Sequence, residues 1–257
     1  MKPSIHPTQK TKSPSIRRGF TLMETVIAIF VLAVLLTGFL TVFTPAAQGI
    51  RRSISTQQAD RLNATLQKDM STLREGETIA GVTTGFDKAF TWIQKGNAPA
   101  TAIFVYQYRG DKSQTPRTDG TLKPMGQIKG KPGIDYVIQT AARRADDAAL
   151  FGNSSNPGDL DALVGPLFYI IPTQLVYVGN ELVLGEIGKV KNSGGTVAAA
   201  PSNYTDAVIT FSAAFHLAPA VSEAYLKGPG FATKFALAAQ SSSEIKPVFI
   251  RNLAVRR

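Results

Sequence analysis

Hydrophobic and polar residues are distributed very unevenly along this chain. From Val26 to Phe43 there are 18 consecutive residues without a charge, preceded closely by Gly19-Phe20-Thr21-Leu22-Met23-Glu24-Thr25. As a helix that run is roughly 27 Å long, close to the ~30 Å hydrocarbon core of a bilayer. Beyond it the period changes. Ile50, Ile54, Leu62, Leu66, Met70 and Leu73 recur at helical spacing, with Ala59 filling the gap, while Gln57, Gln58, Asp60, Arg61, Asn63, Gln67, Lys68 and Asp69 occupy the other face. This is the stripe of an amphipathic helix. The pattern predicts a helix from Phe20 to Glu75, ended by Gly76 and Gly81, with Pro45 bending it or marking its exit from a membrane.

From residue 82 the pattern reads as strands and loops. Strands are predicted at Ala102–Tyr108, Asp135–Thr140 (passing into a short helix through Ala149), Leu167–Ile171, Gln174–Val178, Glu181–Leu184, Ala207–Phe215 and Pro247–Val255. Pro172 is expected to break the third from the fourth. Gly179-Asn180 predicts a tight hairpin, and Asn153–Gly158 a turn. Hairpins and alternation favour an antiparallel sheet. The fold class is therefore α+β: a long N-terminal helix, transmembrane and then amphipathic, packed on an antiparallel β-rich head.

Charge sharpens the N-terminal reading. The formal charge is +10, and half of it lies in residues 1–19, on Lys2, Lys10, Lys12, Arg17 and Arg18. A basic arm before an apolar span is retained in the cytoplasm. A secretory signal has a shorter apolar region and a small-residue cleavage site, for which Thr44-Pro45-Ala46 is a weak match. Arg17-Arg18 before Phe20 partly fits a twin-arginine signal, although orientation by charge explains the pair. Glu24 fits neither a plain anchor nor a signal. A carboxylate in an apolar segment is costly unless it lies at a wet interface or in a helix's first turn.

Arg17-Arg18-Gly19-Phe20-Thr21-Leu22-Met23-Glu24 followed by the apolar run resembles the leader and mature start of type IV prepilins and type II secretion pseudopilins. The resemblance implies cleavage by prepilin peptidase between Gly19 and Phe20, N-methylation of Phe20, and an assembly role for Glu24, the fifth mature residue. It implies a basic leader at 1–19, a transmembrane helix at 20–44, an amphipathic extension at 45–76 and a β-rich head at 77–257. Arg61–Arg74 is similar in pattern to the post-membrane helix of the J-type minor pseudopilins and related large minor pilins. The implied partners are other pilin or pseudopilin subunits, the peptidase and the inner-membrane assembly platform. The implied location is the inner membrane, single-pass with a periplasmic head, or a cell-surface filament. The alternative is an exported or membrane-anchored β-rich enzyme or binding protein with an ordinary signal peptide.

Candidate chemistry in the head is sparse. Cysteine is absent and the histidines are His6 and His216. There is no Gly-x-Ser-x-Gly, Walker loop, Gly-x-Gly-x-x-Gly or His-Glu-x-x-His. His216 reads as a structural or surface residue, and no cofactor, metal or catalytic residue is expected. Asn153–Asp161 offers oxygen ligands but matches no defined calcium spacing. Lys123, Lys129, Lys131, Arg143 and Arg144, with Tyr136, form a basic region, and Arg251, Arg256 and Arg257 a second. Solvated surface is the better reading of both, and nucleic acid is not an expected partner.

Overall fold

A computed structural model describes residues 21–77, 81–125, 135–153, 156–240 and 245–257. The elements in chain order are α1 (Leu22–Ser71), α2 (Gly85–Lys95), β1 (Ile103–Asp111), β2 (Lys123–Pro124), β3 (Val137–Arg144), α3 (Ala148–Phe151), β4 (Leu163–Val178), β5 (Glu181–Leu184), β6 (Val208–Leu217), α4 (Glu223–Leu226), α5 (Pro229–Ala239) and β7 (Phe249–Arg256). The fold is α+β, a long apolar N-terminal helix and a large antiparallel sheet. The chain divides into two units at Ile50/Arg51, so α1 contributes to both.

In the first unit α1 runs unbroken from Leu22, and its apolar side chains are exposed within the chain. Three threonine hydroxyls here bond to their own helix: Thr25 Oγ1 to Leu22 O at 2.8 Å, Thr37 Oγ1 to Ala33 O at 2.8 Å and Thr41 Oγ1 to Gly38 O at 2.7 Å. Such internal pairing is what a low-dielectric surrounding requires. Pro45 lies inside α1.

In the second unit β3, β1, β4, β6 and β7 form consecutive antiparallel neighbours, with β2 added to the end of β1 and β5 to the end of β4. Both faces of the central strands are buried. Ile103 and Val105 of β1 and Phe168 and Ile170 of β4 face α1 and α2, joining Ala59, Leu62, Leu66 and Met70 with Phe86, Phe90 and Ile93. Phe104, Tyr106 and Tyr108, with Leu167, Tyr169 and Ile171, face α5 through Phe231, Phe235 and Ala238. The amphipathic stripe of α1 thus buries from Ala59 onward, whereas Ile50 and Ile54 are exposed. Each fully buried leucine or methionine contributes about 1.5–3 kcal/mol.

Several boundaries differ from the sequence pattern. The first helix stops at Ser71, four residues before Glu75. There, Gly85 brings α2 so close that a Cβ would lie 2.0 Å from Ser71 O. The buried Lys88 Nζ caps this end by donating to Thr72 O at 3.2 Å and to Glu77 Oε2 at 2.7 Å. Helices stand where only strands and loops are expected, the two longer ones being α2 and α5 beside the short α4. Residues 85–95 form α2, opened by a Thr84–Asp87 capping box, and residues 229–239 form α5, opened by Pro229.

Pro172 does not interrupt β4, which is continuous through it. Pairing with β1 stops at Ile170 and pairing with β5 starts at Leu175, so residue 172 lies in a gap where a ladder donor is not needed. The hairpin forms at Gly179-Asn180, with Val178 opposite Glu181 and Gly179 at φ +64°, the left-handed conformation of a primed turn.

Candidate functional site

The first turn of α1 is organised by Thr21. The Glu24 N–H donates to Thr21 O at 3.0 Å and to Thr21 Oγ1 at 3.3 Å, so the threonine caps the helix. The Thr21-x-x-Glu24 spacing, visible in the sequence, is that of a capping box. Glu24 is therefore exposed in the first turn, where the helix dipole favours a carboxylate, and is not at mid-span. Gly19 and Phe20 lie outside the described residues.

Residues Leu22–Ile50, which include Glu24, form a stretch of 29 residues long and apolar enough to cross a membrane, and its most apolar part is not buried among the described residues. At 1.5 Å per residue the stretch is about 43 Å long. Phe30 and Phe39 are 68% and 58% exposed. A continuous apolar surface of this size is untenable in water and requires lipid or other apolar helices around it. A carboxylate at the start of such a rod can pair with a cation brought by a neighbouring rod, which fixes register more than it adds stability.

Residues 15–40 match the family model described as the prokaryotic N-terminal methylation motif. The chain carries the type IV pilin signature. Neither a curated protein nor a solved structure matches the chain. The pilin-type motif supports a type IV pilin-like substrate of prepilin peptidase and points to a structural subunit, one that associates with other pilin subunits. With the apolar helix it fits a membrane-anchored protein.

In the β-rich head, the first predicted basic region is not a free cationic patch. Arg143 is 3% exposed, and its guanidinium is shared among Asp159 (Nε, 2.9 Å), Asp147 (NH1, 2.8 Å) and Asp119 (NH2, 2.9 Å). Arg144 pairs with Asp146. Lys129 and Lys131 lie outside the described residues. Asp159 is fully buried and accepts also from Arg117 NH1 at 2.8 Å and Tyr106 Oη at 2.7 Å. Burial opposes ionisation of Arg143, but the surrounding carboxylates outweigh it and raise its pKa. Asp119 is likewise opposed by burial, yet bonds from Thr121 and Arg143 hold it down at about 2.

Two aspartates of the predicted oxygen-rich loop are engaged within the protein. Asp159 is committed to two arginines and a tyrosine, and Asp161 accepts the Gly158 N–H at 2.9 Å. No group of three metal-ligating side chains occurs among the described residues. His216 is 3% exposed and stacks on Tyr169 with centroids 5.1 Å apart. Its Nδ1 has no partner among the described residues, and burial lowers its pKa to about 4. It is a neutral structural residue on the β4–β6 ladder, opposite Tyr169.

Proposed function

We propose that the chain is a minor pilin or pseudopilin, cut by prepilin peptidase between Gly19 and Phe20 and methylated on Phe20. Retained in the inner membrane by its apolar helix with the head in the periplasm, it is drawn by helix packing into a type IV pilus-like or type II secretion filament or its tip. Its action is assembly, with no reaction catalysed. The observation that carries this reading is the methylation motif at residues 15–40 running directly into an apolar helix that is not buried among the described residues. Glu24 is the assembly residue. The ammonium freed on Phe20 of an adjoining subunit is its partner, and the low dielectric strengthens that attraction while desolvation offsets part of it.

The alternative, an exported or membrane-anchored protein with an ordinary signal peptide, predicts cleavage near Ala46 or none. Ala46 is inside α1 rather than in an extended segment, which disfavours the cleaved form of that alternative. Mass analysis of the mature N-terminus separates the two. Methylated Phe20 is expected, and an intact leader or a terminus near residue 47 overturns the reading. Glu24→Ala should leave insertion and cleavage unchanged but deplete the protein from filaments. Normal incorporation of that variant would remove the assigned role of Glu24.

A further inference from the structure

The two borders of the main sheet are treated differently. At the β3 border, Asp69 Oδ2 accepts the Ala142 N–H at 2.8 Å and Arg74 NH2 donates to Ala142 O at 3.2 Å, so α1 and the residues after it satisfy the outward backbone groups of Ala142. At the opposite border β7 pairs with β6 along its whole length, from Phe215 opposite Phe249 to Val208 opposite Arg256. Nothing pairs with its other side among the described residues. Eight residues of strand are about 26 Å of free ladder. Such a border recruits strands unless its side chains prevent it.

The side chains here are selective. Arg251 and Arg256 are exposed near the two ends of β7, and Lys246 lies just before it. None of the three takes part in an ion pair among the described residues. Between the arginines β7 carries no charge, and Ile250 is 56% exposed. In an end-to-end antiparallel pairing with a second β7, Arg251 would fall opposite Ala254 and Arg256 opposite Phe249, so neither cation gains a carboxylate, and a chain of charge +10 repels its own copies. The same two cations attract carboxylates at both ends of an added strand.

We infer that the free border of β7 takes an extended acidic segment of a different protein as an added strand, with apolar residues at its centre and carboxylates at its ends. Backbone hydrogen bonds supply the affinity, and Arg251 and Arg256 supply sign and register. A nucleic acid fits less well. Three cations are few for phosphate binding, β7 offers Ile250 but no exposed aromatic platform, and an open ladder is chemistry for a peptide backbone. This surface is independent of the N-terminal assembly segment.

The test uses the full chain in detergent and a fluorescent peptide, Glu-Glu-Val-Thr-Val-Glu-Glu, followed by anisotropy. Saturable binding is expected, weakened at least tenfold by 0.5 M salt or by the double substitution Arg251→Glu/Arg256→Glu, and absent when lysine replaces each glutamate. Two further peptides carry N-methyl groups on one or the other alternate set of amides. One set should abolish binding and the other leave it intact, because an added strand uses alternate donors. The charge-reversed protein should keep its circular dichroism and melting temperature, both residues being exposed. Absence of binding, equal behaviour of the two methylated peptides, or duplex DNA binding more tightly at the same arginines would overturn the inference.

Discussion

Arg143 donates from Nε to Oδ2 of Asp159 at 2.9 Å, and both side chains are buried. The pair joins β3 to the turn before β4, and the network extends through Arg117, Asp119 and Tyr106 to the loop after β1. Desolvation makes a buried pair a poor source of net stability, but removing one member strands the other charge. Asp159→Ala should therefore cost about 3–5 kcal/mol, while Asp159→Asn, which still accepts hydrogen bonds, should cost less. Urea unfolding of the full chain in detergent, read by fluorescence of the single tryptophan, Trp92, measures both. A loss below 1 kcal/mol for the alanine variant would show that the network does not hold these elements together.

Acid should weaken the head through His216. Its pKa is lowered from 6.5 to about 4 by burial, so between those values the unfolded chain binds a proton that the folded chain does not. Stability from this residue is complete above pH 6.5 and falls as the pH drops towards 4, by about 3 kcal/mol in all. His216→Phe preserves a ring against Tyr169 and removes the titration. Urea midpoints at pH 7.5 and 4.5 should differ less in the variant than in the parent. An equal shift in both would assign the acid sensitivity elsewhere.

A second acid limb lies lower. Asp119 falls from 3.8 to about 2, burial being outweighed by its bonds from Thr121 and Arg143. Its contribution is present above pH 4 and is lost as the pH falls towards 2. Asp119→Asn should flatten the stability profile between those values and leave it unchanged between pH 4.5 and 6.5.

The start of α2 offers a local test. Thr84 Oγ1 accepts from Asp87 N at 3.1 Å, and Asp87 Oδ2 accepts from Thr84 N at 3.0 Å. Thr84→Ala should cost about 1 kcal/mol, read as a lower urea midpoint with an unchanged slope. A neutral result would mean that tertiary burial of Phe86, Phe90 and Ile93 alone fixes the helix.

Elements with strong local patterns were legible in the sequence. The uncharged run of α1, its stripe from Ala59 to Met70, the strands through Phe104, Tyr169 and Phe211, and the Gly179-Asn180 turn are all present. Other features were hidden for identifiable reasons. Capping-box spacing at Thr84 and Asp87, with Phe86, Ala89, Phe90 and Ile93 at helical intervals, announces α2 in a short segment easily taken for loop. Phe231, Phe235 and Ala238 are similarly spaced in α5, whose buried face covers strands that then bury both their own faces and lose simple alternation. Pro172 was misleading because local rules do not say where neighbouring strands stop. The Arg143–Asp159 network joins residues 16 apart in sequence, and only the fold makes them neighbours. At the N-terminus the motif was legible, whereas the capping role of Thr21 depends on where α1 begins.

Asp69 and Arg74 occupy both backbone groups of Ala142, and this gives the end of α1 and the residues after it a second duty. A fragment made soluble by deleting everything up to Ser71 would lose Asp69 and the buried stripe with it. It would bare greasy surface and a thirsty peptide group together, so such truncations should clump where the intact chain does not.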